Sequence, residues 1–134
     1  KERNPHIFFQ SIDFGGISFK EQLGIVRETD VLVGVHGAGL THGLFMREHA
    51  GAVVEIQPRE LDVFHPFRNI ALLGGQGYYR THADSVPREK TRGLERRGDW
   101  HFNDVKIEKE RLFEVIEAAI KSLYGNGVWD HDIN

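Results

Sequence analysis

The chain has 134 residues, 40% hydrophobic and 28% charged, the balance of one globular domain that can bury a core without disulfides or a structural metal. Its formal net charge of −3 with neutral histidines offers nothing to nucleic acid or to an anionic membrane surface, and no apolar run approaches the roughly 18–20 residues of a transmembrane helix. The absence of cysteine excludes zinc–thiolate, iron–sulfur and cysteine-nucleophile chemistry.

The chain opens on Lys1-Glu2-Arg3-Asn4-Pro5 with neither an initiator Met nor a signal-like segment, and it is expected to be a piece of a longer protein. Residues 6–14 (HIFFQSIDF) are apolar and aromatic and predict a strand, broken by Gly15-Gly16. Ser18-Phe19-Lys20-Glu21 has the form of a capping box, so a helix should begin at Ser18, with Phe19, Leu23 and Val26 recurring at helical spacing. VLVGV, 31–35, is a continuous apolar run of the sort found in strands buried on both faces. HGAGLTHGLFM follows it directly and predicts a glycine turn leading into an apolar helix.

AVVEI, 52–56, predicts a second buried strand closed by Pro58; 65–74 predicts a helix and 77–82 a further strand. Residues 84–104 are charged, with almost no aliphatics, and predict a solvated loop carrying Arg88, Lys90, Arg92, Arg96 and Arg97. From Ile107 to Tyr124 an amphipathic helix places Leu112, Ile116, Ala119, Ile120 and Leu123 on one stripe. Gly125 ends it, and 125–134 is expected to be a loose tail. The pattern is that of a single α/β domain: a Rossmann-like parallel sheet with right-handed crossovers and helices on both faces. Ligands in such sheets bind beyond the C-terminal ends of the strands, which places the turn after Val35 at the expected site.

That turn is His36-Gly37-Ala38-Gly39-Leu40-Thr41. Gly37 and Gly39 permit close backbone approach, and the N–H groups and dipole of the following helix suit phosphate or pyrophosphate; tight helix–sheet packing is the plainer alternative. A P-loop is disfavoured because Leu40 stands where its lysine belongs. The dinucleotide fingerprint matches at Gly37 and Gly39 but has His42 in place of its third glycine.

Glu55, near the end of the next strand, is placed either to take ribose hydroxyls or to pair with a nearby arginine such as Arg59 or Arg68. His36, at the strand end, could donate to a phosphate or polarise a leaving group, or serve only the turn. A metal site fails on spacing: His36 and His42 lie about 240° apart around a helix, and H-E-x-x-H is absent. No G-x-S-x-G elbow surrounds Ser11, Ser18, Ser85 or Ser122.

Three runs together are more specific than a bare glycine motif. Phe19-Lys20-Glu21-Gln22-Leu23, then Thr29-Asp30-Val31-Leu32-Val33-Gly34-Val35-His36-Gly37-Ala38-Gly39-Leu40-Thr41-His42, then Val53-Val54-Glu55-Ile56-Gln57-Pro58, resemble family-61 glycosyltransferases, over roughly residues 6–82. The resemblance implies the C-terminal, donor-binding lobe of a GT-B fold. It implies a UDP-sugar donor with its pyrophosphate at His36, Gly37, Ala38, Gly39, Leu40 and Thr41 and its ribose near Glu55.

It further implies inverting transfer of GlcNAc or xylose to a hydroxyl of a protein or glycan acceptor, with no permanently bound cofactor and no required metal. His36 is then the catalytic candidate, and an N-terminal lobe of the same protein supplies the acceptor side and the base. The implied location is the lumen of the endoplasmic reticulum or Golgi. The chain departs from members that end in His-Asp-Glu-Leu, since it ends His131-Asp132-Ile133-Asn134. A dinucleotide-binding oxidoreductase domain and a non-catalytic module binding through Arg88–Arg97 are the alternatives.

Overall fold

The computed structural model describes residues 7–61, 63–87, 103–124 and 130–133. Helix α1 (Phe19–Arg27) begins as its sequence predicts. The Ser18 hydroxyl accepts from the Glu21 backbone N–H at 3.3 Å, and the Glu21 carboxylate accepts from the Ser18 backbone at 2.9 Å and from its hydroxyl at 2.6 Å. These bonds, the side-chain one foremost, hold the Glu21 carboxyl below its ordinary value. Ahead of α1, residues 7–13 form no strand, and Phe14–Gly16 is a single 3-10 turn capped by Asp13.

Three strands carry the centre: β1 (Val31–Val35), β2 (Ala52–Pro58) and β3 (Gly77–Pro87). They pair in chain order and in parallel, with Gly34 opposite Glu55 and Glu55 opposite Arg80. Helix α2 (Pro66–Leu73) crosses from β2 to β3, with Pro in its first turn where no N–H is needed. Beyond α2's sheet, β3 runs further than the predicted strand. Its segment Asp84–Pro87 pairs antiparallel with β4 (Asn103–Lys106), so both ends of the predicted 84–104 loop are strand; 88–102 lie outside the described residues. Helix α3 (Lys109–Tyr124) follows as expected. Strand β5 (Asp130–Ile133), within the predicted loose tail, pairs in parallel with Tyr78–Thr81.

Side-chain alternation divides the core between the two faces of the sheet. Val53 of β2 and Tyr78 of β3 pack with Val26, Leu40, Met46, Phe67 and Ala71, under α1 and α2. Ala52, Val54 and Tyr79 pack with Val115 and Ala119 of α3 on the opposite face. Helices therefore cover both faces, as the sequence pattern predicts.

Two further expectations need correction. First, β1 is not buried on both faces: Val33 is 38% and Val35 42% exposed. Among the described residues β1 pairs only with β2, which leaves it at the sheet edge. Second, the glycine turn leads into a 3-10 helix, Ala38–Phe45, rather than an α-helix. Leu40 N–H bonds back to Gly37 and Met46 N–H to Gly43, the tighter i→i+3 pattern, in a stretch whose glycines weaken α-helical preference. Gly34 makes this turn possible, because a Cβ there would lie 2.9 Å from the Leu40 side chain folded back over the strand.

Candidate functional site

The backbone N–H of His36 donates to the Ile56 carbonyl at 2.9 Å, carrying the ladder one residue past the end of β1. Its side chain therefore falls on the α2 face of the sheet, where its ring meets Phe67. Glu55 and Gln57 of β2 and Tyr78 and Arg80 of β3 alternate onto the same face. A polar cluster is thus assembled on this face, running from Tyr78 near the start of β3 and Glu55 in the middle of β2 to His36 just past the end of β1.

At its centre Glu55, 0% exposed, meets Nδ1 of His36, itself 7% exposed, through Oε1. Oε2 accepts from the Tyr78 hydroxyl at 2.5 Å. The His36 ring is flanked by Phe67, edge-on at 4.9 Å between centroids, and by Phe64 at 5.7 Å. An ionised carboxylate only accepts, so Nδ1 carries the shared proton. Nε2 is then the acceptor of the neutral ring and a donor only in the imidazolium.

A second layer adjoins the first. The Gln57 side-chain oxygen accepts from the Arg80 guanidinium at 2.9 Å, and Arg80 also donates to Nδ1 of His65 at 3.0 Å. The Gln57 amide nitrogen donates to the carbonyls of Leu61 and Phe64, both at 2.7 Å.

The residues expected from the sequence are partly brought together. His36 and Glu55 are in direct contact. Glu55's partners are His36 and Tyr78, whereas Arg59 pairs with Asp84 at 3.2 Å on the surface. Gly37 leads into the turn, and Ala38, Gly39 and Thr41 are exposed there. Leu40 differs: its side chain is buried in the core and its N–H is spent on Gly37 O at 3.0 Å, so neither is presented to a ligand. His42 lies on the α1 side, its ring nitrogens at Gln22 Oε1 (2.8 Å) and Gly39 O (3.0 Å), a satisfied histidine as expected. Among the described residues no group of three or more His, Cys, Asp or Glu is placed to hold a metal ion, and no helix is long and apolar enough to cross a membrane.

Residues 1–53, including the glycine turn, match the family Glycosyltransferase 61. The chain is related to glycosyltransferase family 61. Over 124 residues it is 27% identical to the EGF domain-specific O-linked N-acetylglucosamine transferase of Drosophila melanogaster, an alignment covering 91% of this chain and 23% of the relative. The enzymes of that name from Bos taurus and Mus musculus are 50% identical over 40 residues, 30% of this chain and 7% of theirs. The chain thus spans less than a quarter of the curated relatives it matches. No solved structure matches it.

Gln57, Tyr78, Arg80 and His65 are site neighbours that sequence reasoning did not single out. The signal was present as alternation: Val-x-Glu-x-Gln in β2 and Tyr-x-Arg in β3 each put polar groups on one face of a buried strand, where they need partners. Tyr78→Phe removes the hydroxyl from a buried carboxylate, and is expected to lower unfolding free energy by about 1.5–3 kcal/mol. Chemical denaturation of the two proteins side by side checks it; equal midpoints would show that the contact contributes nothing.

Proposed function

We propose that this chain is the donor-binding part of a glycosyltransferase, the C-terminal lobe of a GT-B enzyme, working with an N-terminal lobe of the same protein. The donor is a UDP-sugar, its pyrophosphate on the open backbone of Gly37–Gly39, between the buried His36 and Leu40. The observation that carries this reading is that the turn past the C-terminal end of β1, where open α/β sheets bind ligands, begins at His36, whose ring is held from below by the buried Glu55 and, through it, Tyr78.

In the proposed inverting reaction an acceptor hydroxyl oxygen bonds to the anomeric carbon while the bond to the β-phosphate oxygen breaks. UDP leaves with the electron pair and the hydroxyl proton passes to a base of the other lobe. Negative charge grows on the departing diphosphate, and the turn's free N–H groups with the His36 side chain stabilise it there. Glu55 acts through His36: its carboxylate holds Nδ1 and so fixes the orientation of the ring. This departs from direct contact with ribose, which a fully buried carboxylate with both oxygens engaged is poorly placed to make. A metal is not required by this arrangement.

The relatives' printed name supports N-acetylglucosamine as the sugar and a hydroxyl of an EGF domain as the acceptor, which favours GlcNAc over xylose. The endoplasmic reticulum or Golgi lumen is the corresponding location.

The test is thermal unfolding of the full-length protein with UDP, UDP-GlcNAc, UDP-xylose, NAD and ATP. A ligand at 100 times its dissociation constant stabilises by about 2.7 kcal/mol. Stabilisation is expected with UDP and most with UDP-GlcNAc; stabilisation by NAD alone would overturn the proposal in favour of a dinucleotide enzyme.

A further inference from the structure

The loop joining β2 to α2 carries two large apolar side chains in the open: Val63 is 90% and Phe64 55% exposed. The loop is nonetheless anchored from below. Gln57, fully buried in β2, uses its side-chain amide to hold the carbonyls of Leu61 and Phe64 at 2.7 Å each, and Phe64 N–H closes onto Leu61 O at 2.9 Å. The ring so held stands 5.7 Å from that of His36, tilted by 55°. An aromatic side chain left half in water forfeits hydrophobic free energy. Here a buried polar group is committed to keeping one at the mouth of the site.

We infer that Phe64 is the platform on which the pyrimidine ring of the uridine diphosphate donor stacks. The inference rests on the UDP-sugar reading above and names the residue that would receive the base. Position selects the base over the sugar. In an open α/β sheet the pyrophosphate sits at the glycine turn after one strand and the ribose near the end of the next. Phe64 follows that next strand, β2, and so lies on the nucleoside side of the turn. Stacking on a phenyl face supplies affinity without reading the base's hydrogen-bonding edge. The carbonyls of Leu61 and Phe64 are already engaged by Gln57, so at Phe64 it is the aromatic face that is left to offer.

Calorimetric titration of the full-length protein tests this, using UDP, UDP-GlcNAc and inorganic pyrophosphate on wild type, Phe64→Ala and Phe64→Trp. Loss of base–aromatic stacking is expected to weaken UDP and UDP-GlcNAc alike by about tenfold in Phe64→Ala, while Phe64→Trp stays within about twofold of wild type and pyrophosphate binds all three equally. UDP binding to Phe64→Ala at wild-type strength overturns the platform and leaves the donor site standing. Weakening of UDP-GlcNAc with UDP unchanged also overturns it, by giving the ring to the sugar. Failure of wild type to bind UDP at all removes the donor reading and this inference with it. The tryptophan variant keeps the test decisive should the alanine variant fold poorly.

Discussion

Glu55→Gln is expected to leave a folded protein whose turnover falls by about ten-thousandfold, the scale seen when a carboxylate behind a working histidine becomes an amide. The substitution is isosteric, so no cavity opens around the buried side chain. What changes is charge and donor count. The carboxylate accepts from Tyr78 and shares a proton with Nδ1 of His36; a glutamine has one accepting oxygen and one donating nitrogen. If its oxygen stays with Tyr78, its NH2 faces Nδ1 and drives the ring proton to Nε2. If it turns over, His36 keeps its tautomer but loses the negative charge beside its ring. Either way His36 loses the charged partner that positions it for the departing diphosphate.

Stability should fall by about 1–3 kcal/mol through the imperfect hydrogen bonding. The decisive comparison is of kcat with UDP affinity in the full-length enzyme. A large fall in kcat with UDP binding nearly unchanged assigns Glu55 to positioning His36. A large loss of UDP affinity with kcat preserved would return Glu55 to the ribose, and wild-type kinetics would remove the His36–Glu55 contact from the reaction.

The parts of the fold that were legible in the sequence are those settled by neighbours a few residues apart. Ser18 and Glu21 form their capping box whatever lies elsewhere, and the run Ala52–Pro58 is apolar enough to require burial on both faces. Pairing is a different matter. Phe8 and Phe9 have strand-like character, yet a strand exists only against a partner, and residues 7–13 have none among the described residues. The converse holds for Asp130–Ile133, polar by composition and strand by virtue of the edge that Tyr78–Thr81 presents.

The site divides along the same line. His36 and Glu55 were visible singly, one after a buried strand and one within it. Their contact joins residues 19 apart through the register that sets Gly34 opposite Glu55. Tyr78 and Arg80 enter through a second register, Glu55 opposite Arg80. Alternation in each strand indicates which residues share a face; only the pairing indicates which of them touch.

Gly39→Val separates the two accounts of the glycine turn, since packing and ligand approach predict opposite results. A Cβ built on Gly39 meets no atom within 4 Å, and the residue is exposed at the start of the 3-10 helix. Were this glycine needed for helix–sheet packing, that position would be crowded, as it is at Gly34, where a Cβ would lie 2.9 Å from Leu40. The ligand-free variant should therefore unfold within about 0.5 kcal/mol of wild type, the range of ordinary surface substitutions.

With ligand the outcome reverses. An anion held by backbone N–H groups must come within about 3 Å of them, into the open space that a branched side chain at Gly39 would fill. Displacing the diphosphate from one or two charge-assisted bonds, at about 1.5–3 kcal/mol each, should weaken UDP by about a hundredfold. Gly39→Ala, which adds only the Cβ, should fall between the two. Titration of UDP into the three proteins, with denaturation of each in its absence, reads both quantities. Undiminished UDP binding in Gly39→Val would move the phosphates off the turn, while loss of stability without ligand would make Gly39 a packing residue after all.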